Sequence, residues 1–463
     1  MILNLNPFNV RGLPDEDRQK LNKLVSQYSS HDTKNAQKLK YYEGKISVSS
    51  VNLGLALPDG IGKFEIGCAW GAKTVDVLAA RSMFDGFVDM NGETVTELDS
   101  IVTANSLIAE YMKACRDELL FGCTFATLSS DPVIGCKIRF HSPRTAAAVW
   151  DGDKGRIAYG FAIVDTAPDN DTQIWTPSLL NLYTDTHIWV LTRNSDIWTA
   201  TGYAHKMGRP LMEPLIWNAT SDKPFGRSRI KEPIRRLIDS YVRTIANATI
   251  GLEFSTSPQK YLLGVTDEQY DAVVSNKFKQ YVGSILAATV NPETGEKPTY
   301  GQLAQGNITP HVDMLRMLAT QFSAASGLTV SDTGVVNDAN PTSSDAIQAQ
   351  SVTLIQMAEQ LNTGNGDSLR MIAQMALAIA NKTTLDGLTE EQRGLAAHFK
   401  NPALPSLAAT ADAALKIATV RQAFASTDVY LEMMGFSQAD IRRINAQETR
   451  ARGLATLQEM GIE

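Results

Sequence analysis

The spacing of apolar positions changes twice along this chain. Between residues 15 and 43, Leu21, Leu24, Val25 and Tyr28 recur at helical intervals in a polar background, which predicts an amphipathic helix. Residues 72–84 predict a short apolar helix with Val75, Val77, Leu78 and Met83 turned inward. Residues 101–121 predict a longer one through Ile101, Leu107, Ile108, Met112, Leu119 and Leu120, closed by Gly122 at the C-cap. From about Val133 to Trp217 the period drops to two, in runs such as IRFHS, AAAVWD, RIAYGFAIV, HIWVLTR and DIWTATGY. Turn sequences DGDKG, APDND and RNSD separate these runs, so a β-meander is expected.

Beyond residue 218 the helical period returns. Residues 224–251 align Ile230, Ile234, Leu237, Ile238, Tyr241, Val242 and Ile245 on one stripe, and Pro233 either starts that helix or bends it. A small mixed unit follows, with QKYLLGV and GSILAATV as strands around a helix in TDEQYDAVVSNKF, and NPETGEKP as an exposed turn. Residues 310–326 are helical again. The polar loop DTGVVNDANPTSS then leads into a long helix from about Ser343 to Asn381. Thr342 and Asp345 are spaced as a capping box at its start, and Gly364 and Gly366 are placed to kink or interrupt it. From about Pro405 the chain is Ala-rich and helical.

Composition narrows the chemistry without naming it. A chain of 463 residues can build several compact units. No apolar run approaches the roughly 20 residues of a membrane helix, and the first 20 residues lack the pattern of a signal peptide. Cys68, Cys115, Cys123 and Cys136 form no CxxC pair and read as reduced, buried thiols. The six histidines are scattered, without metal-ligand spacing. At a net charge of −7, a lone subunit has no bulk attraction for nucleic acid.

One stretch suggests catalysis. GCAWGAKT, residues 67–74, lies one residue from the phosphate-loop pattern G-x-x-x-x-G-K-[ST]. Gly67, Lys73 and Thr74 are on pattern, but the second glycine has moved to Gly71 and Ala72 stands in its place. A phosphate loop wraps backbone N–H groups around its anion, and the bulky Trp70 inside the loop opposes that geometry. GKFEI, just before it, is too short and polar for the buried strand such a loop follows. The stretch reads better as a structural helix start, with a nucleotide-dependent enzyme as the alternative.

Several stretches together resemble one family, the portal proteins of long-tailed bacteriophages (the siphophage branch), over nearly the whole length and in the family's order. They are LKYYEGK (39–45), WGAKTVDVLAAR (70–81), PFGRSRI (224–230), SPQKYLLG (257–264), NPTSSDAIQAQ (340–350), ADAALKIA (411–418) and LEMMGFSQADIRRI (431–444). GCAWG departs from the family, which more often has an Asn-Trp pair there. The resemblance implies an α+β portal-type fold. Its parts would be a wing (1–225), a first stem helix (226–251), a clip (252–309), a second stem helix (310–328), a second wing part (329–404) and a helical crown (405–463). The second wing part would hold a tunnel loop (331–342) and the long helix (343–381).

The function implied is a non-enzymatic dodecameric ring at one capsid vertex of the virion, assembled in the host cytoplasm, through which double-stranded DNA is packaged and ejected. Implied partners are the terminase large subunit, scaffold and major capsid proteins and head–tail adaptor proteins; no cofactor, metal or membrane is implied. Another capsid or head–tail adaptor protein is a further alternative.

Charge bears on that reading. Arg227, Arg229, Lys231, Arg235, Arg236 and Arg243 around the first stem helix face only Glu232 and Asp239, and could touch DNA, form ion pairs or stay solvated. The tunnel-loop candidate holds Asp332, Val335, Val336, Asn337, Asp338 and Asn340, with no lysine or arginine. An acidic collar would let DNA slide, whereas a strongly basic bore would grip it by counterion release; a plain surface loop is the rival reading. In the clip, Lys277, Lys279, Glu293, Glu296 and Lys297 are the candidates for facing the terminase.

Overall fold

The computed structural model describes residues 10–47, 65–89, 95–168, 175–194, 197–256, 260–263, 295, 297, 299–302, 307–334, 344–403, 407–436 and 438–459. The helix and second strand expected in TDEQYDAVVSNKF and GSILAATV, the Thr342 cap, and residues Lys277, Lys279, Glu293, Glu296, Val335, Val336, Asn337, Asp338 and Asn340 lie outside them. The chain divides into two compact units, one of residues 1–39, 74–230 and 348–463, the other of residues 40–73 and 231–347.

The described elements begin with β1 (Val10–Arg11), α1 (Asp15–Tyr42), β2 (Lys45–Ser47), β3 (Glu65–Gly67), α2 (Trp70–Ala79) and β4 (Phe84–Val88). Two helices follow, α3 (Thr96–Ala104) and α4 (Leu107–Phe121). Then come β5 (Cys123–Asp131), β6 (Gly135–His141), β7 (Ala146–Asp151), β8 (Arg156–Pro168) and β9 (Trp175–Tyr183). The β-rich part ends with β10 (His187–Asn194), β11 (Ile197–Ala204) and β12 (Met212–Ile216). The rest comprises α5 (Glu232–Thr256), β13 (Lys260–Leu263), β14 (Thr299–Gln302), α6 (Thr309–Ser326), α7 (Ser344–Ala380) and α8 (Glu390–Arg393). It closes with β15 (Ala396–Phe399), α9 (Leu407–Val420), α10 (Asp428–Met433) and α11 (Gln438–Glu459).

In the first unit the period-two text folds as expected for residues 146–204. Strands β7 to β11 pair antiparallel in sequence order, and β1 adds parallel to β11. β12 leaves the meander and joins β5 and β6 in a second sheet. Alternation sends Phe161, Ile163, Leu180, Leu182, Leu191 and Trp198 to one face, where the stripe Leu21, Leu24, Val25 and Tyr28 of α1 packs. Burying each such side chain contributes roughly 1.5–3 kcal/mol. Two ring polar atoms at this core are paired: the Tyr28 hydroxyl donates to the Arg144 carbonyl at 2.6 Å, and Trp189 Nε1 donates to Asp17 Oδ2 at 2.9 Å.

The end of α4 explains PFGRSRI. A helix leaves its last carbonyls unpaired. Here the Arg229 amide donates to the Leu119 carbonyl at 2.9 Å and Ser228 Oγ to the Leu120 carbonyl at 2.5 Å. Gly226, at φ +68°, is the point of closest approach: a Cβ there would lie 2.2 Å from the Trp217 carbonyl oxygen. Gly122 closes α4 in the left-handed region, as its position predicts.

Three local expectations are corrected. Residues 101–121 are not one helix: α3 and α4 part at Asn105 and Ser106, because the Asn105 side chain pairs across to β6, donating to the Cys136 carbonyl and accepting from the Ile138 amide. The buried face of α4 runs through Leu107, Tyr111, Ala114, Cys115 and Glu118, which leaves Ile108 and Met112 exposed. Helix α2 ends at Ala79, so Met83 lies beyond it and is exposed, while Val75 and Leu78 are buried and Val77 is half-buried.

The long helix α7 passes through Gly364 and Gly366 without interruption. Two helical glycines cost about 1 kcal/mol each, and the neighbouring burial of Leu361, Asn362, Asn365, Leu369 and Ile372 offsets that.

Asn365 also closes a buried polar network. Its Nδ2 donates to Glu118 Oε2 at 2.8 Å and to the Tyr111 hydroxyl at 3.0 Å. Ser82 Oγ lies 2.7 Å from that hydroxyl and donates to Asn362 Oδ1 at 2.6 Å. Glu118 Oε1 and Asn365 Oδ1, both buried, lack a donor. A proton kept on Oε1 supplies one, and burial pushes the Glu118 carboxyl up to about 8, though the Asn365 hydrogen bond opposes this. Glu118 is therefore neutral in the fold and ionised in the unfolded chain between about pH 4.5 and 8. Its contribution is fully present below the lower value and lost as pH rises through the upper one. At roughly 1.4 kcal/mol per pH unit, the loss is of order 5 kcal/mol. Glu118→Gln supplies the donor permanently. Urea unfolding from about pH 5 to pH 8.5 should show falling stability in the parent and a flatter profile in the variant.

Candidate channel-forming site

The second unit is built around a hairpin of helices. Helix α5 ends just before β13 and α6 begins just after β14; the antiparallel ladder of β13 with β14, from Lys260 opposite Gln302 to Leu263 opposite Thr299, closes the hairpin. Pro233 occupies the first turn of α5, so it starts the helix and does not bend it. Ile234, Ile238, Val242 and Ala246 form the buried stripe of α5, spaced four apart, while Leu237, Tyr241 and Ile245 are half-buried beside it. Helix α6 answers with Leu318, Ala319, Phe322 and Ser326.

Trp70 locks this hairpin. Its ring lies 4.5 Å from Phe322 of α6, stacked, and 4.4 Å from Tyr241 of α5. Its indole N–H donates to the Thr333 carbonyl at 3.0 Å. Thr333 ends a 3-10 turn, Ser331–Thr333, from which residues 335–342 depart. One buried side chain thus touches both helices and the base of the loop candidate. Gly71 follows because nothing larger fits: a Cβ would sit 2.1 Å from the Tyr41 carbonyl oxygen. The Lys73 amide is used within the helix, donating to Ala69 at 2.9 Å, and its side chain is exposed. GCAWGAKT is therefore a strand end and a helix start, with the Lys73 amide committed to the helix ladder.

The predicted basic residues do not form one surface. Arg229 is the main correction: it precedes α5, belongs to the first unit and is buried. Its Nε donates to the Thr74 carbonyl at 2.6 Å and its guanidinium lies 5.8 Å from the Trp217 ring centre. Burial pushes its pKa down to about 10. Arg227 also precedes the helix and lies 3.6 Å from Asp222, and Lys231 is exposed at the helix start.

Within α5, Arg236 pairs with Glu232 at 2.8 Å on an exposed face, where solvent screens the attraction. Arg235 lies over the Tyr41 ring at 5.9 Å, and the Tyr41 hydroxyl donates to Asp239 at 2.8 Å. Burial raises the Asp239 carboxyl, and the Tyr41 hydrogen bond offsets part of that. Arg243 is half-buried.

Asp332 is likewise engaged: its Oδ2 accepts from the Thr329 amide at 3.0 Å and hydroxyl at 2.8 Å, which fixes the 3-10 turn. Lys297 is exposed. Among the described residues no helix is long and apolar enough to cross a membrane.

Comparison with known proteins gives this hairpin its context. The phage portal protein family of SPP1 Gp6-like type matches residues 91–453, and the chain belongs to that family. The portal protein of Mycobacterium phage D29 is 24% identical over 454 residues, covering 94% of this chain and 90% of its own. Two solved structures are similar in part: a chain from the neck of an empty GTA particle computed with C6 symmetry, and one from the neck of a native GTA particle computed with C12 symmetry. The first is 15% identical with a TM-score of 0.44 and covers 77% of this chain and 86% of that one. The second is 13% identical with a TM-score of 0.43 and covers 81% and 89%.

Trp70 was visible in the sequence as a bulky residue beside two glycines, but its partners lie about 170, 250 and 260 residues away, beyond the reach of periodicity. Trp70→Ala should lower unfolding stability by about 3–5 kcal/mol in a chemical denaturation curve. Trp70→Phe, which keeps the stacking and loses the indole donor, should lower it by about 1–3 kcal/mol. Equal losses in the two variants would show that the stacking contributes little.

Proposed function

We propose that copies of this chain close into a ring of twelve that conducts double-stranded DNA through a capsid vertex. Membership of the portal family across residues 91–453 carries this reading. The helical hairpin supports it physically, because an α5-length helix spans roughly 35–40 Å and identical hairpins packed side by side would line a short channel. Head-to-tail contacts close such rings. In this reading the wing, stem, clip, tunnel loop and crown follow the boundaries stated above. The clip at 252–309 meets the terminase large subunit and then head–tail adaptor proteins, and the outer surface meets scaffold and major capsid proteins. In this reading the chain is not the motor, which the use of the Lys73 amide within a helix start supports.

The DNA path is proposed to be weakly attractive. Arg229 is buried, Arg236 is paired and Arg235 packs on an aromatic ring, so few stem cations remain to grip phosphates. The narrowest collar is assigned to residues 331–342, with Val335 and Val336 touching DNA without sequence readout.

Two outcomes are expected. Negative-stain images of the assembled protein should show annular particles with a central hole and no nucleotide turnover; a monomer under all assembly conditions, or turnover abolished by Lys73→Ala, would overturn the reading. Asp338→Lys should reduce DNA packaged per head without preventing ring formation. Asp332 is unsuitable for that test because its carboxylate also holds the Thr329 turn. Unchanged packaging in Asp338→Lys would remove the collar assignment.

A further inference from the structure

Between Leu361 and Leu369, helix α7 runs through NTGNGDS, residues 362–368, about two turns without one apolar side chain. Read by composition, such a cluster of Asn, Gly, Asp, Ser and Thr is a loop. The fold makes it a helix. Where local preference and fold disagree in this way, the site is strained or at work.

Packing does not account for the glycines. Each weakens a helix relative to alanine. Yet a Cβ added at Gly364 would meet nothing within 4 Å, and one at Gly366 would meet only Phe399 Cε2 at 3.7 Å, an ordinary contact. Alanine would fit both positions. Thr363 weakens the turn further, because its hydroxyl donates back to the Glu359 carbonyl at 2.8 Å and competes with the helix ladder.

Side-chain hydrogen bonds to other elements hold the segment helical. Asn362 Oδ1 accepts from Ser82 Oγ, and Asn365 Nδ2 donates to the Tyr111 hydroxyl and to Glu118. Ser368 Oγ donates to the Pro214 carbonyl at 2.8 Å. The flanks are held differently: Leu354, Ala358 and Leu361 are buried before the segment, and Leu369, Ile372 and Leu377 after it. A hydrogen bond exchanges for water at small net cost, whereas an apolar anchor has no such substitute. The weak sequence and the exchangeable latches therefore coincide, with firm anchors on either side.

We propose that residues 362–368 are a joint in α7: they open as a unit without unfolding either flank, and the helix bends there. The joint belongs to a single subunit, whether or not a ring forms.

Hydrogen exchange on the full chain tests the opening. Amides of 363–368 should exchange faster than those of 372–378, because local opening costs less than global unfolding. In the double variant Gly364→Ala, Gly366→Ala the segment should slow by about twentyfold, the factor that two such changes in a helix imply, with 372–378 unchanged. Ser368→Ala, which removes one latch, should speed the segment by about fivefold and again leave 372–378 unchanged.

A distance measurement tests the bend. Nitroxide labels at Val352→Cys and Arg370→Cys, both exposed positions, stand on either side of the joint, and the four native cysteines are buried. A straight helix separates the two labelled positions by about 27 Å. In protein diluted with unlabelled chain, the distance distribution should be broadest in Ser368→Ala and narrowest in the double alanine variant. A segment that exchanges in step with 372–378, or one narrow distance shared by all three proteins, would overturn the joint.

Discussion

The second unit depends on one indole ring. Trp70 sits against Tyr241 and Phe322 and donates its N–H to the Thr333 carbonyl. A helical hairpin whose connection runs through some fifty residues has little local reason to keep its register, because closing a long loop gains nothing until its contacts form. A rigid aromatic at the crossing supplies that register from outside the hairpin. It also fixes where the chain leaves α6, since the same ring holds the last residue of the following turn.

The second constraint is the disposal of unpaired polar groups. The end of α4 is buried, so its carbonyls need donors that its own helix cannot provide. Ser228 and the amide of Arg229 provide them, and Gly226 is small because the chain must turn against two carbonyls to arrive there. The same logic governs Glu118. A charged carboxylate at zero exposure would be expensive, so burial holds it as an acid, while the amide of Asn365 gives one of its oxygens a donor. Motifs that look chemical in one dimension, GCAWGAKT and PFGRSRI, are in three dimensions solutions to packing and hydrogen bonding.

This shifts the weight of the basic residues. Counted along the sequence, six cations around α5 leave DNA contact, ion pairs and a solvated face equally open. In the fold they separate: Arg229 serves a buried carbonyl and an indole face, Arg236 a neighbouring glutamate, Arg235 a tyrosine ring. Under the proposed conduit function, occupied cations keep net attraction to DNA small.

Periodicity alone determined the elements whose stabilising contacts are local. The stripe of α1, the meander from residue 146 to 204 and the cap at Gly122 were legible, because helix and strand periods and turn residues act within a few positions, whereas Pro233 left a start and a bend equally open. The order of the family stretches was legible for the same reason, each being a short local pattern. Only the tertiary structure decided the rest. It split α3 from α4 through Asn105, carried α7 across Gly364 and Gly366, hid Arg229 and gave Trp70 its role. Each of these turns on a partner brought close by the fold from far along the chain, and no spacing rule records a contact of that kind.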